Sequence, residues 1–109
     1  MFTFVQNSKH MEEREWLREI GVHFFIDMYD DLKAYSNGCI SEDSLKEKVE
    51  SSGWEGMTKR GFEIRADYSK RIFTNNKQVD VLQFIVDKRG IWTSIKIKNL
   101  LNREKKCLS

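Results

Sequence analysis

The chain predicts a mainly α single domain: about four helices in two helix hairpins, with a short β-hairpin near residues 62–74. Three observations carry this. Proline is absent and only six glycines occur in 109 residues, which disfavours long irregular loops and polyproline segments. Apolar residues recur at helical spacing over most of the chain. One segment, 62–68, alternates instead. A content of 39% apolar and 12% aromatic residues supports a packed core despite 33% charge, and this length fits one domain.

Taken in order, residues 2–5 (Phe2-Thr3-Phe4-Val5) read as a short strand or an unstructured lead. From Glu12 to Tyr35, residues Trp16, Leu17, Ile20, Phe24, Met28, Leu32 and Tyr35 fall on one broad helical face. Gly21 lies inside this stretch and Val22–Met28 alternates as a strand would, but one helix, straight or kinked, is the preferred reading, with Asn37-Gly38 as its C-terminal cap. Ser41 is the N-cap of a second helix, with Glu42 and Asp43 in its first turn and Ile40 and Leu45 at the spacing of a hydrophobic staple. This helix runs to about Ser52 and stops at Gly53. Residues 53–61 hold three glycines and read as a loop.

In 62–68, Phe62, Ile64, Ala66 and Tyr68 alternate with Glu63, Arg65 and Asp67, the pattern of a half-buried strand. Residues 69–73 form its hairpin partner, and Asn75-Asn76 breaks the pattern. The β-branched run Val79–Val86 has strand propensity. Its polar neighbours Asn76, Asp80, Gln83 and Asp87 are nevertheless spaced 4, 3 and 4 apart, which is one stripe on a helix. Period outranks propensity, so 76–89 is read as a helix ended by Gly90. Thr93 is then the N-cap of a last helix from Ser94, with Trp92 and Ile97 as staple. Its apolar side holds Ile97, Leu100, Leu101, Cys107 and Leu108; Lys96, Lys98, Arg103, Lys105 and Lys106 take the other. The two capped turns, from Gly38 and from Gly90, echo each other at an offset of 52 residues, as two ordinary helix hairpins under the same capping rules would. The alternative architecture is α+β: two helices packed on an antiparallel meander, should 79–97 be strands.

Charge is segregated along the chain. The acidic helical half (11–53) and the basic half (62–109) meet in the Gly-rich loop 53–61. Residues 1–56 hold 6 Lys/Arg against 12 Asp/Glu, whereas residues 57–109 hold 13 against 5, so a net of −6 faces one of +8. Such a basic half suits a polyanion or an acidic partner. Cys39 and Cys107 form no CxxC pair and no disulfide framework, which favours a reducing cytoplasm. The longest apolar run, Val22–Ile26, is interrupted by His23 and far too short to span a membrane, and residues 1–9 lack the pattern of a secretory leader.

Two basic groups are candidate nucleic-acid contacts: Lys59, Arg60, Arg65, Lys70 and Arg71, interleaved with aromatics, and, as the stronger candidate, Lys96, Lys98, Arg103, Lys105 and Lys106 on one face of the last helix. The helix hairpin of the basic half resembles the first two helices of a helix-turn-helix domain, with 62–73 as a β-wing, a winged-helix-like arrangement. The resemblance covers residues 62–108 and rests on generic patterning. It departs from the family in leaving no room for a separate recognition helix after Asn102, so the helix from Ser94 would itself have to reach the duplex. Each basic group has a plainer reading as a solvated face, the second also as the usual cationic end of a helix.

Glu19, His23, Asp27 and Asp30 or Asp31 lie one turn apart on the first helix, a spacing that metal ligands use but that an exposed acidic face explains as well. No P-loop, GxGxxG, GxSxG or HExxH occurs, so no catalytic residue, metal or cofactor is expected. Three functions follow in order: a small cytoplasmic nucleic-acid-binding regulator of DNA or RNA; an inhibitor or adaptor docking on an acidic protein partner; and a ribonuclease-like enzyme using Arg65, Tyr68, Lys70 and Arg71. A homodimer is compatible with each.

Overall fold

The computed structural model describes residues 14–54, 56–89 and 95–108, leaving aside the side chains of residues 89, 107 and 108. Seven helices and no strand occur among the described residues. They are α1 (residues 14–20), α2 (Val22–Asp27), α3 (Tyr29–Ser36), α4 (Glu42–Ser51), α5 (Lys59–Thr74), α6 (Gln78–Arg89) and α7 (Ile95–Leu108). The main packing contacts join α3 to α5, α6 to α7 and α3 to α4.

The β-hairpin is overturned, and with it the α+β alternative. Residues 59–74 are one continuous helix. Thr58 caps it, its Oγ1 accepting the Gly61 amide at 3.0 Å. The alternation of Phe62, Ile64, Ala66 and Tyr68 misled because two periods share its first and third members. Over the longer window Phe62, Ala66, Ser69, Ile72 and Phe73 are the buried residues, at spacings of 4, 3, 3 and 1, whereas Ile64 and Tyr68 are only half-buried. The set from 62 to 73 is one helical face. Residues 78–89 are helical, as the polar spacing predicts for 76–89, although Asn76, the first residue of that stripe, belongs to the end of α5. Asp80 and Asp87 are exposed, Gln83 donates to Asp87 Oδ1 at 3.0 Å, and Val81, Leu82 and Ile85 are buried.

Three helices end in the same way. At the ends of α3, α4 and α5, residues Gly38 (φ +78°), Gly53 (φ +97°) and Asn76 (φ +55°) adopt the left-handed conformation. Cys39 N–H bonds to the Ala34 carbonyl and Gly38 N–H to that of Tyr35. Trp54 and Gly53 repeat this onto Val49 and Glu50, and Lys77 and Asn76 onto Ile72 and Phe73. These paired bonds satisfy the last carbonyls of each helix, the Schellman arrangement. Ser41 caps α4 as expected, accepting from Ser44 N–H at 3.1 Å.

The long first helix is divided in three. Gly21, at φ +89°, separates α1 from α2, and Met28, at φ −102° and ψ 15°, separates α2 from α3. Nothing in the residues around Met28 announces the second break. The core gathers Phe24, Phe25, Tyr29, Leu32, Leu45, Ile72, Val81 and Leu82, all at most 2% exposed. At its centre Phe25, Tyr29 and Phe73 pack as mutual ring neighbours 5.2–5.9 Å apart. The lead at 2–5 and the Gly90, Trp92 and Thr93 signals, hence the second half of the internal echo, lie outside the described residues.

Candidate anion-binding surface

The two basic groups meet different fates. On α7, at 3.6 residues per turn, Lys96 and Lys98 point about 160° apart, so the five cations do not share one face. Lys96 lies 3.9 Å from Asp27, and Arg103 donates to Asp30 Oδ1 at 2.6 Å while passing 6.0 Å over the Tyr29 ring. Lys105 reaches Gln83 Oε1 at 3.4 Å, and Lys98 and Lys106 are exposed. Asp27 and Asp30, two of the carboxylates that carried the metal reading, are thus part of the seat on which α7 docks. No metal-binding cluster of His, Cys, Asp and Glu forms among the described residues.

Beneath these pairs lies a group that sequence reasoning passed over. Glu104 is 2% exposed on the apolar stripe of α7, where it accepts from Tyr29 Oη at 2.8 Å and from Lys33 Nζ at 2.7 Å. Burial pushes its carboxyl upward. The Lys33 and Tyr29 hydrogen bonds, together with the charges of Lys33 and Arg103, outweigh that and hold it below the usual carboxylate range. Tyr29 is held well above the ordinary phenol value, first by burial and then by the Glu104 carboxylate it bonds. The signal was present in the sequence: Glu104 stands seven residues after Ile97 and four after Leu100, inside the stripe assigned to the core.

On α5, residues Lys59, Arg60, Lys70 and Arg71 are exposed, and among the described residues none has a carboxylate partner within ion-pair distance. Lys59 with Lys70, and Arg60 with Arg71, are eleven residues apart, about three turns, so each pair shares a side of the helix. Lys70 and Arg71 have aromatic neighbours. Lys70 Nζ lies 5.7 Å from the Tyr35 ring centroid, and the Arg71 guanidinium covers the half-exposed Tyr68 ring at 4.8 Å. Burial, followed by the charges of Glu42 and Asp67, holds Tyr35 above its ordinary value, so it stays a neutral phenol beside Lys70. Arg65 is different. Its Nη1 donates to the Gly61 carbonyl at 3.1 Å and its guanidinium lies over Phe24 at 5.7 Å, turned toward the core.

The loss of the β-hairpin changes what this surface resembles. Residues 62–73 form no wing, and Phe62 and Phe73 are 5% exposed, so neither can stack on a base. Arg65, Tyr68, Lys70 and Arg71, grouped for a ribonuclease on a strand, are instead distributed around one helix, with Arg65 on the inner side. Among the described residues no helix is long and apolar enough to cross a membrane. Comparison with protein-family models, with curated proteins and with solved structures finds no match to this chain.

Proposed function

We propose that the protein is a small nucleic-acid-binding regulator that grips phosphates with the exposed flanks of α5. The observation that carries this reading is the contrast between the two basic groups: among the described residues Lys59, Arg60, Lys70 and Arg71 have no carboxylate within ion-pair distance, while Lys96 and Arg103 do. Cations held beside rings present their outward N–H groups to phosphate, and the Arg71–Tyr68 pair offers one flat surface for a neighbouring base. Contacts of this kind position a strand without reading its sequence, so binding is expected to be weakly sequence-specific. The exposed thiol of Cys39 suits the reducing cytoplasm in which such a regulator would act.

Electrophoretic mobility shift over a salt series, with duplex DNA, single-stranded DNA and RNA, tests the reading. Each phosphate contact removed by Lys59→Ala, Arg60→Ala, Lys70→Ala or Arg71→Ala should flatten the log–log salt slope by about 0.9 on duplex and 0.7 on single strands. Lys96→Ala and Arg103→Ala should leave the slope unchanged. No shift with any of the three at low salt would reject the proposal.

A further inference from the structure

A second surface, between α1 and α6, is built on another principle. Leu17, Val22, Phe84 and Ile85 floor a groove of about 220 Å³, and Arg14, Arg18 and Lys88 stand around it. Leu17 and Ile85 are buried, whereas Val22 and Phe84 are half-exposed and form the accessible part of the floor. Arg14 and Arg18 are one turn apart on α1, and Lys88 faces them from α6 with its ammonium 5.7 Å from the Phe84 ring centroid. No carboxylate among the described residues lies within ion-pair distance of these three cations.

We infer that this groove docks an acidic amphipathic helix of a partner protein, one apolar side chain entering the groove and carboxylates on either side of it meeting Arg14, Arg18 and Lys88. Three properties select that occupant. The volume lies below the roughly 300–1,000 Å³ of sites that enclose a whole small molecule, so it suits a projecting side chain. The floor is aliphatic and aromatic, which favours an apolar anchor over a sugar–phosphate strand. The rim carries three positive charges on two helices, and a single carboxylate, such as that of a fatty acid, would leave two of them unanswered. An amphipathic helix with anchors at i, i+3 or i+4 and acidic residues between them answers both the floor and the rim. Like charges around a low-dielectric floor also raise the local potential and speed the approach of such a segment.

The test uses the full chain and a fluorescein-labelled synthetic peptide of about 18 residues, long enough to be helical, with Leu at every third or fourth position and Glu between. Saturable anisotropy, with backbone amide shifts concentrated in residues 14–22 and 84–88, is the expected result. The double variant Arg14→Glu/Arg18→Glu, and Lys88→Glu separately, should each weaken binding by about tenfold or more, and Phe84→Ala should weaken it comparably. All three cations are exposed, so their replacement leaves the core intact. The α5 variants used for nucleic acid should bind the peptide as the parent does, which separates failure of one surface from failure of the other. Several outcomes would overturn the inference: equal binding of the Lys-for-Glu peptide, amide shifts elsewhere, dodecanoate saturating the same amides as tightly as the peptide, or sedimentation showing a dimer that closes this groove.

Discussion

Two basic helices of similar composition do opposite things in this molecule. The cations of α7 that flank α2 and α3 are drawn into the fold: Lys96 and Arg103 settle on Asp27 and Asp30 above a buried carboxylate. On α5, Lys70 and Arg71 settle over rings, which hold them in place without neutralising them. Residue counting cannot separate the two cases, since the charge split between the halves is the same fact in both. Part of that split is consumed internally, acidic half against basic half. What stays available to a partner depends on which element each cation faces.

The comparison can be broken most severely at Glu104. Glu104→Ala leaves Tyr29 Oη without its acceptor in the core and strips the partly exposed Lys33 of its partner, and we expect a loss of about 1–3 kcal/mol in urea denaturation. A loss below about 1 kcal/mol would mean that α7 is held by its leucines alone. The α5 variants, which remove no comparable partner, should stay close to the parent.

The same group sets a pH dependence. Glu104 titrates lower in the folded chain than its unfolded value of about 4.3, so its contribution is full above that pH and is lost as pH falls through the folded value. Tyr29 has the opposite sense. Its folded value is raised, so stability is retained below about pH 10 and declines as pH rises beyond that. Urea midpoints followed across pH should fall at both extremes, and Glu104→Gln should blunt the acid limb. An unchanged acid limb would place the responsible carboxylates elsewhere.

The smallest effects sharpen the contrast. Arg103→Ala and Lys96→Ala each break a solvent-exposed pair, worth about 1 kcal/mol or less in thermal or urea unfolding. These losses should shrink further at high salt, since exposed pairs are screened.

Much of the chain's punctuation was legible. Ser41, Asn37-Gly38 and Gly53 act as the caps their residue types imply, because capping is a local transaction between a side chain or a left-handed residue and the nearest backbone groups. The polar stripe of α6 was legible for the same reason: a twelve-residue helix repeats its period often enough to outweigh β-branched propensity. The alternating stretch 62–68 is only seven residues, too short to separate a period of 2 from one of 3.6, and the cap residue Thr58 stands among glycines that read as a loop. The cations of 59–71 were therefore set on the wrong element, beside two aromatics, Phe62 and Phe73, that the core in fact claims, and Arg65 turns toward the core as well. Glu104 was missed because a lone charge on an apolar stripe has meaning only beside its partners, and Tyr29 and Lys33 stand more than 70 residues away.

The breaks at Gly21 and Met28 have a consequence for cooperativity. Phe24, Phe25 and Ile26 are consecutive, about 100° apart in turn, yet they are only 2%, 0% and 6% exposed. A helix resting on one surface buries a stripe; α2 is enclosed over more than half its circumference. Six residues would fray in isolation. Here Phe24 and Phe25 are held between Tyr29 of α3, Arg65 and Phe73 of α5, and Trp54. Opening α2 requires the whole assembly to come apart, so its amides should exchange with solvent only through global unfolding.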